Sequence, residues 1–133
     1  MFISKMLNQD SQPVLEQMLQ FTSARHKVLA ENIANIDTPG YRQKDLSVER
    51  FQAMMRERVE RRASESAGSV RFDDIEQQVT EPNDGILFHD GNNRSAEQLM
   101  SEFAKNALMH NMAVEMLRKQ YATMEMALKE KVG

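Results

Sequence analysis

The 133-residue sequence contains no cysteine, which excludes a disulfide framework, a thiolate metal site and a cysteine nucleophile. That absence does not decide which side of a membrane the protein works on. Tryptophan is missing too, and aromatic residues make up only 6% of a chain long enough for one domain with a core of modest size. No stretch approaches the ~20 consecutive apolar residues of a membrane-spanning helix. Met1 to Asp10 lacks the cationic start and apolar run of a secretory signal, so any export is expected to proceed without signal cleavage. Nor is there a strong excess of charge: the net value is −3, which argues against a general nucleic-acid binder.

What is present is methionine, eleven residues of it in a chain that is 41% apolar. Methionine is flexible and suits adaptable contacts between helices, and it is read here as packing rather than as a cofactor box. Charge is unevenly spread. Residues 63–97 sum to −6, while residues 1–43 and 98–133 are nearly balanced. An acidic, polar middle between two more apolar ends is unusual for one compact globule. The chain divides into a flexible N-terminal segment 1–12, a helix over 13–36, a turn motif over 37–46, a short cationic helix over 47–62, a polar acidic loop region 63–94, and a C-terminal helix over 95–131.

In the first helix, Leu15, Leu19, Thr22, His26, Leu29, Ile33 and Ile36 follow spacings of four and three, the pattern of a seam facing a partner helix. Thr22 and His26 make that seam imperfect, and polar seam residues often fix register. The pattern stops at Asp37-Thr38-Pro39-Gly40-Tyr41. Pro39 disfavours helix at Thr38, and Pro39-Gly40 suits the centre of a type II turn, with Gly40 supplying the positive φ. In the C-terminal helix, Ser95 and Gln98 form a capping box. Met100, Phe103, Ala107, His110, Val114, Leu117, Tyr121, Met124 and Leu128 then repeat at threes and fours over four heptads, which favours a coiled coil. Met109, Met112, Met116 and Met126 lie off that line as a second apolar strip, and a lone hairpin cannot cover both. The fold expected is all-α: long N- and C-terminal helices paired as a coiled-coil-like hairpin, around a loop-rich middle with one short helix and room for a small β-hairpin.

Chemistry has few candidates. His26, His89 and His110 fall in different regions, none with a second ligand at metal-site spacing. Asp90-Gly91-Asn92-Asn93 lacks the ligand pattern of a calcium loop. No phosphate loop or nucleophile elbow is visible. Arg56 to Arg62 alternates in sign and reads as a solvated face. The expectation is a protein that is not an enzyme, with no cofactor, metal, nucleic acid or small-molecule substrate.

Asn32-Ile33-Ala34-Asn35-Ile36-Asp37-Thr38-Pro39-Gly40-Tyr41 resembles the signature shared by flagellar rod, hook and hook-junction subunits. The short length, Asp90-Gly91-Asn92-Asn93 before a Met- and Leu-rich helix, Phe103-Ala104-Lys105-Asn106 and Arg118-Lys119-Gln120-Tyr121 are similar to the FlgB family of proximal rod proteins. The resemblance implies a structural subunit of the flagellar basal body, in the periplasmic rod, exported without a cleaved signal peptide. It implies a homo-oligomer within a helical assembly, partnered by other rod subunits, the export apparatus and membrane-ring proteins. Asn32, Asn35, Thr38, Pro39, Gly40 and Tyr41 would form its assembly motif. Leu15, Leu19, Leu29, Ile33, Phe103, Val114, Leu117, Tyr121, Met124 and Leu128 are expected to form the pairing seam. Two alternatives stay open at this point: the sister proximal rod protein of the FlgC type, and an unrelated helical-hairpin adaptor that dimerises.

Overall fold

A computed structural model describes residues 12–64, 87–89 and 94–132. Residues 1–11 and most of the expected loop region 63–94 lie outside these. The elements run α1 (Gln12–Ala34), β1 (Lys44–Leu46), α2 (Val48–Ser64), β2 (Leu87–His89) and α3 (Ala96–Val132). The architecture is a helical hairpin of long N- and C-terminal helices, with the short α2 packed against it.

The helices α2 and α3 each begin on a side-chain cap. At α3 the Ser95 hydroxyl accepts from the Gln98 backbone N–H at 3.2 Å, and the Gln98 side chain accepts from the Ser95 N–H at 3.0 Å. That reciprocal pair satisfies two donors a helix start leaves open. At α2 the Ser47 hydroxyl accepts from Arg50 N–H at 3.2 Å, a single N-cap. The helices α1 and α3 run antiparallel: Gln12 reaches Tyr121, Thr22 meets Asn106 and His110, and Arg25 meets Glu102.

The hydrophobic core lies on one side of this hairpin. Val14, Leu15, Met18 and Phe21 of α1 meet Ala113 and Leu117 of α3, and Leu46, Phe51 and Met55 close over them. Phe21 and Phe51 stack with ring centroids 4.2 Å apart and planes 6° from parallel. The helix α2 is therefore held through the narrow stripe Phe51–Met55, while Arg56, Glu57, Glu60 and Arg61 stay exposed.

β1 and β2 form a two-stranded antiparallel ladder in the register Lys44↔His89, Asp45↔Phe88, Leu46↔Leu87. The strand β2 thus pairs across the chain with the segment after the Pro39-Gly40 turn. Val70 to Val79, the weakly alternating stretch beside the expected small hairpin, lies outside the described residues.

Phe51 carries the largest apolar contact that ties α2 to the hairpin. Phe51→Ala is expected to cost about 3 kcal/mol, in the range for truncating a buried aromatic. Urea unfolding followed by circular dichroism measures it, and a loss below a third of that would mean α2 contributes little to the core.

Candidate assembly site

The segment Asn32–Tyr41 ends α1 and turns the chain back with a dense set of short-range hydrogen bonds. Asn35 donates through Nδ2 to the Glu31 carbonyl at 2.9 Å, which also accepts the Asn35 backbone N–H at 3.0 Å, and accepts from the Thr38 hydroxyl at 3.2 Å. Thr38 N–H donates to the Asn35 carbonyl at 3.0 Å, and Tyr41 N–H to the Thr38 carbonyl at 3.2 Å. The last bond spans a β-turn centred on Pro39-Gly40, and Gly40 has φ +77°. A positive φ at that position is what a type II turn demands. Ile36, Asp37, Thr38, Pro39, Gly40 and Arg42 are exposed around it.

Asn32 joins this turn to the sheet. It is 1% exposed. Its Nδ2 donates to the Lys44 carbonyl at 2.6 Å, and its Oδ1 accepts from the Lys44 N–H at 3.1 Å and the Tyr41 hydroxyl at 3.2 Å. One amide thereby holds both backbone groups of Lys44 against the end of α1. A side chain without both a donor and an acceptor leaves one of them unpaired.

Beneath the turn lies an ionic cluster. Arg25 grips Asp45 with two parallel bonds, Nε to Oδ1 at 3.0 Å and Nη2 to Oδ2 at 3.1 Å, and reaches Glu102 at 2.9 Å. Arg94 lies 2.8 Å from the other face of Asp45. Gln43 and the backbone of Arg94 exchange bonds of 3.0 and 2.9 Å. The side chains of Arg25 and Asp45 are 6% and 3% exposed. Burial pushes the Asp45 carboxyl upward, but the bonds and charge of Arg25, the bond from Arg94 and the Leu46 N–H together hold it below the usual carboxylate range. Burial also opposes the Arg25 cation, and Asp45 and Glu102 outweigh it, so its pKa stands above the ordinary guanidinium value. Glu102 is lowered first by its hydrogen bond from Arg25, against burial, with help from Lys105.

The helix-pairing line in α3 runs through Leu99, Asn106, Ala113, Leu117 and Gln120, all buried. It lies about one position from the line drawn through Met100, Ala107, Val114 and Tyr121. Among the expected seam residues, Leu15, Leu29 and Leu117 are buried, and Leu19, Ile33, Phe103 and Val114 are half-buried. Tyr121, Met124 and Leu128 are exposed. Two of the observed seam residues are amides, which an apolar count passes over. Asn106 is fully buried and donates to the Thr22 carbonyl at 2.8 Å. Thr22 caps its own turn at the Met18 carbonyl, 2.8 Å away, and meets His110 Nδ1 at 2.8 Å. His26 sits outside the seam, tilted over Phe103. A cleft of about 370 Å³ opens here between Thr22, His26, Lys27, Asn106 and His110. It gathers no acid–base pair around a nucleophile. Among the described residues, no group of three or more His, Asp or Glu could hold a metal ion, and no helix is long and apolar enough to cross a membrane.

Asp45 and Glu102 have native pKa values below their unfolded ones, so the stability they add is complete above about pH 5 and is lost as acid titrates them through those lower values. Arg25→Met strands Asp45 and is expected to cost about 3 kcal/mol at pH 7. Asp45→Asn should flatten the acid limb of the unfolding midpoint against pH, and an unchanged limb would remove the cluster from that account. At Gly40 nothing lies within 4 Å of an added Cβ, so Gly40→Ala should cost only the left-handed backbone term, about 1 kcal/mol by urea unfolding. A neutral result would mean the turn relaxes.

A model of the family described as flagella basal body rod protein matches residues 19–42, the second half of α1 and the turn. The flagellar basal body rod protein FlgB of Aquifex aeolicus is 30% identical over 71% of this chain and 73% of its own length. That of Bacillus subtilis is 28% identical over 86% and 89%, and that of Salmonella typhimurium 29% identical over 79% and 83%. The family model thus covers Asn32 and the turn, the relatives' matches extend over most of the chain, and the chain belongs to the FlgB family of flagellar basal body rod proteins.

Proposed function

We propose that this protein is a structural subunit of the proximal rod of the bacterial flagellar basal body, where its copies and other axial proteins pack into a helical assembly. One observation carries the reading beyond family membership: among the described residues the hairpin is unequal. The helix α1 has 23 residues and α3 has 37, about 34 Å against about 55 Å. α1 begins at Gln12, beside Tyr121. Beyond that point α3 carries Met124, Met126 and Leu128, 41%, 64% and 63% exposed. Apolar surface held out on a long helix marks an interface.

In this role the motif Asn32, Asn35, Thr38, Pro39, Gly40 and Tyr41 acts as a rigid end-piece that assembly partners read as a shape. The partners proposed are other rod subunits, the export apparatus and the membrane ring, and the chain links them so that torque passes along the axis. The location is the periplasmic rod, reached by flagellar export without signal cleavage. The job is mechanical, and no catalytic step is assigned to it.

Leu117 tests the reading because it is 6% exposed within the pairing line and belongs to the hydrophobic core. Leu117→Asp buries an unpaired charge at a cost of several kcal/mol, about 3 or more. Cells carrying it are expected to export the protein yet assemble no rod, as electron micrographs of basal bodies would record. A strain deleted for the gene should lack rods altogether; intact rods in that strain would sink the proposal, and normal swimming of Leu117→Asp would sink the seam.

A further inference from the structure

Two apolar strips of α3 find no cover among the described residues, and they differ in both height and face. The tail strip, Tyr121, Met124 and Leu128, continues the line of Leu117 beyond the start of α1 and is 47%, 41% and 63% exposed. The back strip, Leu108 and Met112 with Ala104 beside them, is exposed at 70% and 51% for the two large residues. Leu108 lies about two and a half turns before Leu117, which places it on the opposite face of the helix.

We propose that the tail strip of one copy seats on the back strip of the next. The proposal rests on the rod-subunit reading and specifies the contact through which copies follow one another. The tail strip is continuous with the α1–α3 interface and has its helical spacing, so it is shaped to receive a helix along its length. Charge does not oppose the contact: between Phe103 and Val114 the single formal charge is Lys105, and in residues 121–132 Glu125 and Glu130 are balanced by Lys129 and Lys131. Stoichiometry agrees, because every copy carries one strip of each kind. A contact between two different surfaces of identical chains cannot close on a two-fold axis. Such a contact closes a ring where its rotation returns to the start, and otherwise leaves a strip open at each end and adds copies in a row.

The absence of native cysteine makes a direct test available. Leu108→Cys and Leu128→Cys chains, prepared separately, are treated with a short bis-maleimide alone and as an equal mixture, both as self-associating purified protein and in isolated basal bodies. Met112→Cys with Met124→Cys repeats the experiment in another register. The mixture is expected to give at least roughly tenfold more cross-linked pairs than either variant alone, as a head-to-tail contact requires. A chain carrying both substitutions should give a ladder of multimers. Linkage mainly between identical positions would overturn the proposal in favour of a two-fold dimer. Linkage of Leu128→Cys to a cysteine placed at Met6 of the same chain would overturn it in favour of the chain's own first residues. Linkage to a different basal-body protein would likewise overturn it. Basal bodies that contain the chain but show no mixed link refute this contact and leave the rod reading standing. Basal bodies without the chain refute the rod reading itself.

Discussion

Arg25 and Asp45 are both nearly dry, and neither charge tolerates that environment alone. Removing an ion from water costs several kcal/mol, which is recovered only when geometry and further hydrogen bonds are good. Here the guanidinium sits on α1, the first carboxylate on β1, the second on α3 and the other arginine just before α3. α1, β1 and the start of α3 with the residues just before it must arrive together for the whole cluster to be satisfied. An apolar cluster of equal size would hold those segments as tightly, but it would accept a slid register. The ionic cluster accepts a single one, and the Gln43–Arg94 exchange and the Asn32 clamp are built on that fixed point. This is the sense in which it organises the fold without being its main source of stability.

Stability comes from the other end. The stacked Phe21–Phe51 pair and the aliphatic residues around Leu15, Met55 and Leu117 exclude water from the N-terminal half of α1. The hairpin is thus divided in function along its length. One end is polar, exact in register and finished by a tight turn. The other is greasy and tolerant and, among the described residues, extends past its partner.

What could be read from the sequence was the chemistry that acts within a few residues. The Ser95–Gln98 box, the positive φ at Gly40 and the stop at Pro39 are local, and each has its own signature. The hairpin of long terminal helices was visible through its periodicity. The pairing face of α3 was placed about one position off, because Asn106 and Gln120 occupy it and a count of apolar residues slides to Met100, Ala107 and Tyr121 instead. The ionic cluster left no trace in sequence: Arg25, Asp45, Arg94 and Glu102 are far apart along the chain and each resembles an ordinary solvated charge. The ladder was hidden for a related reason. Three residues are too few to display alternation, and the partner of β1 lies some forty residues away.

The Asn32 clamp has a consequence for how these molecules must not associate. A two-stranded ladder has two unpaired edges, and an open edge is an invitation for a foreign strand to add. The outward backbone groups of Lys44 are occupied by the Asn32 amide, and the Leu46 N–H by the Asp45 carboxylate at 2.7 Å. Side chains have taken the places a further strand would need. Addition of a foreign strand along that edge of β1 is thereby obstructed.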